Sequence, residues 1–234
     1  MILSIIIPLY NEQKTILELL YKIESLKNIN KEIIIIDDCS TDNSLDRLKN
    51  YQKKSNIKII EHEKNLGKGA AIISGKKYVT GDVVIIQDAD LEYDPNDYSK
   101  LIEPIINEKF KVVYGSRVLN KKRYSSNHFT SFLRIFFNHI LTLLSNLLNN
   151  QKLTDAHTCY KAFDAKLFNE ITLIENKFGF CPEITTKVAN LGYEIKEVPI
   201  SYMGRKYSEG KKIKMIDGLD AIKCLIKYKF FSKK

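Results

Sequence analysis

Cysteine is scarce and scattered in this chain. Among 234 residues there are four, Cys39, Cys159, Cys181 and Cys224, and no C-x-x-C pair. That excludes a disulfide framework and a cysteine-built zinc site, and it fits a reduced, intracellular protein. A basic start is missing before the apolar stretch Met1–Ile7, which runs directly into Pro8 and polar residues. No secretory signal is therefore expected, and the cytosol is the expected compartment. There is no internal repeat and no low-complexity linker, so residues 1–234 are expected to form one continuous domain. G-x-G-x-x-G is absent, which argues against NAD and FAD, and so is the P-loop pattern G-x-x-x-x-G-K-[ST]. What remains is 44% hydrophobic and 28% charged residues. Those proportions suit a soluble chain with one core and exclude disordered, collagenous and multi-span membrane proteins.

Excess positive charge is lacking from the first half. Residues 1–120 carry a net charge of −1 and residues 121–234 a net +10, so the whole formal +9 belongs to the second half. Such asymmetry points to an anionic partner there: nucleic acid, a phosphorylated substrate or a membrane surface.

The first 116 residues alternate two periods. Ile2–Ile7, Glu32–Ile36, Ile57–Glu61, Asp82–Ile86 and Lys111–Tyr114 are short Ile/Val-rich runs. Their near-continuous apolar character predicts strands covered on both faces. Helical spacing separates them: Ile16, Leu19, Leu20 and Ile23 follow i, i+3, i+4, i+7, and Leu45, Leu48 and Tyr51 do so more weakly. Gly67–Val79 and Asn96–Glu108 have helix lengths. This alternation predicts an α/β, Rossmann-like half with a mostly parallel sheet.

In such sheets ligands bind outside the carboxyl ends of the strands. Three predicted ends are acidic: Pro8-Leu9-Tyr10-Asn11-Glu12, Asp37-Asp38-Cys39-Ser40-Thr41-Asp42 and Asp88-Ala89-Asp90-Leu91-Glu92. Like charges crowded on one rim are costly unless a cation or hydrogen-bond donors offset them. Asp88-x-Asp90 after a strand suits a hard cation, since Mg²⁺ or Mn²⁺ takes one or two carboxylates plus water and phosphate oxygens. Glu92 continues the alternation as a third candidate ligand. Asp37 and Asp38 can accept hydrogen bonds from a base or a ribose, while Ser40, Thr41 and Asp42 can cap the next helix. Gly67-Lys68-Gly69 offers little bulk and one cation, as close approach to a ligand requires.

Together, SIIIPLYNE, IIIIDDCSTDNS, NLGKGAA, DVVIIQDADLEYDP and YGSR resemble the family 2 glycosyltransferases, which have the GT-A fold. The later runs TDAHTCYKAF, GFCPEITTKVANLGYEIKEVPISY and RKYSEGKKI are similar to the polyprenyl-phosphate branch, the dolichyl-phosphate mannose and glucose synthases. The resemblance implies that Pro8, Tyr10 and Glu12 make the first nucleotide contacts. It implies that Asp38 binds the base with Asp37 beside it, and that Lys68 lies near the nucleotide. Asp88 and Asp90, with Glu92, would hold the metal and diphosphate, and Arg117 would lie near the acceptor phosphate. Asp90, Arg117 and Asp155 are the residues expected to act in catalysis, Asp155 as base or orienter. Cys159 stands where many relatives have Gly. Arg205, Lys206 and Lys211 are expected to grip phosphate from the segment Gly204–Lys214.

The reaction this implies is inverting transfer of a hexose, mannose or glucose, from a nucleotide sugar to polyprenyl phosphate. The alternatives are a family 2 enzyme acting on a glycan hydroxyl and, more distantly, a non-enzymatic nucleotide-sugar or nucleic-acid binder. Phe129–Asn149 and Met215–Phe231 are amphipathic at helical spacing, and the first of these carries Arg134, Asn138 and His139. Interfacial helices are expected there, not spanning ones. The chain is thus expected at the cytoplasmic face of a membrane, alone or with a separate anchoring protein, and nucleic acid is not an expected partner.

Overall fold

The computed structural model describes residues 1–51, 56–120, 129–205 and 216–231, with the backbone alone described at 129–134, 216 and 217. In order, the elements are β1 (Leu3–Leu9), α1 (Ile16–Ser25), β2 (Lys31–Asp37), α2 (Ser44–Tyr51), β3 (Ile57–Glu61), α3 (Lys68–Lys76), β4 (Val83–Ile86) and α4 (Tyr98–Asn107). Then follow β5 (Val112–Ser116), α5 (Phe129–Asn149), β6 (Lys161–Asp164), α6 (Ala165–Glu170), α7 (Phe180–Asn190), β7 (Ile195–Pro199) and α8 (Ile216–Ile226). The five strands and four helices expected in the first 116 residues are all present.

One seven-stranded sheet runs β3-β2-β1-β4-β6-β5-β7. β1 to β4 are mutually parallel, and their Ile and Val side chains are buried between covering helices, except Ile59 and Ile60 of the edge strand β3, which are part-exposed. β6 is antiparallel to both β4 and β5, with Ile86 and Tyr114 paired to Lys161. This reversal puts the start of β6, and so the loop 154–160, at the carboxyl ends of β4 and β5. β7 is parallel to β5, Ser116 facing Pro199, and carries residues 200–205 to the same rim. Two segments of the basic half are thereby delivered to the acidic strand ends.

The glycines of Gly67-Lys68-Gly69 have a structural explanation. A Cβ on Gly69 would lie 2.0 Å from the Glu175 carbonyl oxygen, and one on Gly67 would lie 2.5 Å from that of Asn176. Gly67 also has φ +101°, which disfavours any other residue. They admit the backbone of 175–177, which accepts the Ala70 N–H at 2.9 Å through Asn176. The expected open approach for a ligand is taken by the chain itself at this face of the loop.

Gly69→Ala should lower the unfolding free energy by about 1–3 kcal/mol through overpacking. Gly218→Ala in α8, where the nearest atom stands at 4.0 Å, should be neutral or stabilising. Denaturant unfolding of the two variants checks both; equal stability of Gly69→Ala and the parent contradicts the close-packing account.

Candidate functional site

The first two acidic turns are fastened to one another. Asn11 Oδ1 accepts the Thr41 N–H at 2.7 Å, Ser40 Oγ accepts the Asn11 N–H at 3.0 Å, and Ser44 Oγ accepts the Glu12 N–H at 2.9 Å. Asp42 accepts from both Gln13 N and Ser44 N. Ser40 and Thr41, expected as helix caps, instead tie the β2–α2 turn to the β1–α1 turn. Each of the three acidic turns contains one non-glycine residue in the left-handed region: Asn11 (φ 52°), Cys39 (φ 62°) and Leu91 (φ 61°). Asn adopts it readily, but Cys and Leu do so at a cost, and such strain persists only where surrounding bonds enforce it.

Asp37 and Asp38 are both buried, with different duties. Asp38 accepts Leu66 N–H at 2.9 Å and Gly67 N–H at 2.7 Å, and its Oδ1 lies 2.8 Å from Nδ1 of His62. His62 Nε2 contacts Ser74 Oγ at 2.8 Å. Asp38 therefore holds the loop that carries Lys68. Among the described residues Asp37 accepts only the Ser40 N–H through Oδ2, and its buried Oδ1 has no partner. An open buried acceptor at a strand end suits a ligand hydroxyl or ring N–H.

At the end of β4 the carboxylates meet cations. Lys68 pairs with Asp88. Burial opposes the charge on Lys68, but Asp88 outweighs it and holds the ammonium above its ordinary range. Arg205 reaches Glu12 with Nη1 at 2.9 Å and Asp90 with Nη2 at 2.8 Å. Asp90 is nonetheless pushed up to about 7, by burial first and then by the charges of Asp88 and Glu92, against the opposing pull of Arg205. Burial and the neighbouring carboxylates together resist a further negative charge there, and the carboxylate oxygens of Asp88 and Asp90 are hard donors of the kind a divalent cation takes. Glu92 is directed elsewhere. Its Oε2 accepts Tyr202 Oη–H at 2.6 Å and its Oε1 accepts the Arg205 N–H at 2.7 Å. Among the described residues no three His, Cys, Asp or Glu side chains gather as a metal cage, so the donors that fit are the pair Asp88 and Asp90, with water and phosphate to complete the shell.

Beside this rim the part-buried Arg117 and the buried Asp155 form a two-pronged pair, Nε to Oδ2 at 2.7 Å and Nη2 to Oδ1 at 2.8 Å. Burial would raise the Asp155 carboxyl, but Arg117 outweighs it and holds the group below the ordinary carboxylate range. Glu197 on β7 accepts the backbone N–H groups of Thr154 and Asp155 at 2.7 and 2.8 Å, which fixes the loop. Lys161, fully buried, donates to the carbonyls of Ala156 and Thr158 from the other side. Burial and Lys161 push His157 down to about 4, so its ring is neutral at pH 7. Arg117 also lies over the Tyr202 ring, 5.1 Å from its centre. Its Nη1 carries no protein partner among the described residues, which leaves one edge of the guanidinium to bind an anion.

The fold brings Glu12, Asp88, Asp90, Glu92, Lys68 and Arg205 together, with Arg117 and Asp155 adjoining. Pro8 sits in β1 opposite Ile36, and Tyr10 follows that strand, part-exposed. Lys206 and Lys211 lie outside the described residues. Tyr202, His62 and Glu197 were not singled out by sequence; Tyr202 ends the run PISY, and nothing in its spacing marks it.

Asp155→Asn should destabilise the protein by about 3–5 kcal/mol at pH 7, because Arg117 stays part-buried without its counter-ion. A carboxyl whose folded pKa is depressed contributes stability that is present above its unfolded pKa near ~3.9 and is lost as pH falls through the folded value. The gap between parent and variant should therefore narrow in urea melts at pH 3. An equal gap at both pH values contradicts the ion-pair account.

The family model for glycosyl transferase family 2 matches residues 4–172. The chain is 30% identical over 236 residues to the UDP-N-acetylglucosamine–dolichyl-phosphate N-acetylglucosaminyltransferase of Methanococcus voltae, covering 93% of this chain and 92% of that protein. It is 29% identical over 247 residues to a dolichyl-phosphate beta-glucosyltransferase of Trichomonas vaginalis, covering 99% and 74%. It is similar in structure to glucosyl-3-phosphoglycerate synthase of Mycobacterium tuberculosis, solved with Mn²⁺, uridine diphosphate and phosphoglyceric acid. The TM-score is 0.71 at 18% identity, over 99% of this chain and 80% of that one. The architecture is the expected GT-A fold, and the chain belongs to glycosyl transferase family 2.

Proposed function

We propose that this chain moves a hexose, mannose or glucose, from a nucleoside-diphosphate sugar to a polyprenyl phosphate with inversion at the anomeric carbon. The observation that carries this reading is Arg117: a part-buried guanidinium, locked by the buried Asp155, with its Nη1 edge unpartnered among the described residues beside the acidic donor rim. The relatives named above act, by their names, on dolichyl phosphate.

The chemistry follows from these groups. Asp37, with its open buried oxygen, receives the nucleoside. Glu12 and Asp38 hold the turns around it. Lys68 stands ready to meet the diphosphate, and Arg117 receives the acceptor phosphate. A phosphate monoester has a second pKa near ~6, so its oxygen is already ionised at neutral pH. It attacks the anomeric carbon as the bond to the leaving diphosphate breaks, and no proton need be removed. Asp155, ionised and clamped on both oxygens, orients Arg117 and is a weak base; a glycan hydroxyl would need a stronger one. Asp88 and Asp90 would hold Mg²⁺ or Mn²⁺, which would supply positive charge to stabilise the departing diphosphate.

The acceptor's long apolar chain needs a surface. No helix among the described residues is long and apolar enough to cross a membrane. α5 packs against α8, and Phe136, Phe137, Ile140, Leu143 and Leu147 of α5 and Leu219 and Ile226 of α8 are exposed. Lys223, Lys227 and Lys229 flank them in sequence. An apolar ridge with basic neighbours suits the headgroup layer of an anionic bilayer.

Flotation of the protein with anionic vesicles that contain polyprenyl phosphate tests both parts. With Mn²⁺ and a panel of radiolabelled nucleotide sugars, including UDP-N-acetylglucosamine, one hexose donor should label the lipid in a mild-acid-labile form. Asp90→Ala should float but transfer at least ~100-fold more slowly, and Phe137→Glu should float poorly. Label that enters a free glycan and never the lipid contradicts the proposed acceptor; label from UDP-N-acetylglucosamine alone contradicts the proposed hexose.

A further inference from the structure

Glu92 follows Asp88 and Asp90 at the alternation that reads as a third metal ligand; its N–H donates to Asp90 Oδ1 at 3.1 Å, but its carbonyl and its carboxylate bond to one short strap. The Glu92 carbonyl accepts the Met203 N–H at 2.9 Å. Its Oε1 accepts the Arg205 N–H at 2.7 Å, and its Oε2 accepts Tyr202 Oη–H at 2.6 Å. The main-chain carbonyl and both carboxylate oxygens are thus engaged with residues 202–205. The left-handed turn at Leu91 makes this possible, since it redirects the chain between Asp90 and Glu92. Tyr93 extends the contact: it forms an isolated antiparallel bridge with Tyr202, the ring centres 5.2 Å apart. Asp97 anchors the start of the strap by accepting the Ser201 N–H.

Tyr202 is the hinge between two charges. Its hydroxyl binds Glu92, and its ring lies under the Arg117 guanidinium. Three residues farther on, Arg205 reaches Glu12 and Asp90. The strap therefore fixes two guanidinium groups at once, Arg117 on the acceptor side and Arg205 on the donor side. A flexible arginine gains most from such pre-organisation, because fewer rotamers are lost when it binds.

We propose that Glu92 and Tyr202 are positioning residues that latch the 202–205 strap and so set Arg205 against Asp90 and Arg117 against the acceptor, and that Glu92 is not a ligand of the metal. The metal half of this statement rests on the reading that Asp88 and Asp90 hold a divalent cation; the latch itself does not.

Two measurements on the full chain test it without any acceptor. The first is Mn²⁺ binding, read from the free-ion electron paramagnetic resonance signal. Glu92→Ala should keep its Mn²⁺ affinity within about five-fold, the effect of a lost nearby charge, while Asp90→Ala should lose at least ~50-fold. The second is trypsin cleavage after Arg205, followed by mass spectrometry. Glu92→Ala and Tyr202→Phe should each be cut at least ~three-fold faster than the parent, and the double variant no faster than the worse single one, as coupled residues behave. Tyr202→Phe removes one hydroxyl and keeps the ring, so unchanged circular dichroism separates a lost latch from a lost fold. A loss of Mn²⁺ in Glu92→Ala equal to that in Asp90→Ala overturns the ligand claim. Parental cleavage rates in either single variant, or additive rates in the double one, overturn the latch. If the parent binds no Mn²⁺, the metal reading fails and the cleavage rates alone decide the latch.

Discussion

Carboxylates gathered at the ends of parallel strands repel one another, and the rest of this molecule is organised around that repulsion. Asp88, Asp90, Glu92 and Glu12 share one rim with little access to water. Asp90 shows the consequence, being driven toward neutrality by burial and by its acidic neighbours. Cations must come to the rim, and the first half of the chain provides one, Lys68. Arg205 comes from the end of β7, almost two hundred residues from Glu12 in sequence. The antiparallel insertion of β6 and the parallel return of β7 are the topological means of bringing the basic half to this edge.

On the proposed function, the same arrangement separates donor chemistry from acceptor chemistry. On one side, oxygen-rich groups suit a nucleotide and a metal-bound diphosphate. On the other, Arg117 is held by Asp155, which is held in turn by Glu197 and the loop that Lys161 braces. Asp155 and Lys161 are buried and Arg117 and Glu197 part-buried, and each is bonded to the next or to the loop between them. This is what lets a guanidinium keep one unsatisfied edge in a part-buried place. The cost of burying it is offset by a bidentate partner, and the free edge is available to a phosphate oxygen.

Much of this was legible from sequence, for identifiable reasons. The strands of the first half announce themselves because burial on both faces demands unbroken Ile and Val, as in Ile33–Ile36. The acidic ends follow, since a strand's end is where the apolar run stops. β6 and β7 were not foreseen: KAFD and IKEVP are short, and each mixes charge into its run. Gly67 and Gly69 were read for a ligand, whereas the 175–177 backbone takes the space, a contact between segments more than a hundred residues apart. On the reading proposed above, Glu92 misleads for a similar reason. Alternation along a chain predicts a shared face only while the backbone stays extended, and the turn at Leu91 ends that. Tyr202 carries no local signal, because its importance lies wholly in what stands on either side of it in space.

The central claim is that Arg117, held by Asp155, receives the phosphate of the acceptor. Calorimetric titration of a short-chain polyprenyl monophosphate into the parent and into Arg117→Gln, each saturated with nucleoside diphosphate, tests it most directly. The account predicts binding to the parent and at least ~ten-fold weaker binding to Arg117→Gln, with nucleotide affinity unchanged, as expected when one charge-assisted phosphate contact is lost. Equal binding of the lipid phosphate to both proteins would contradict it.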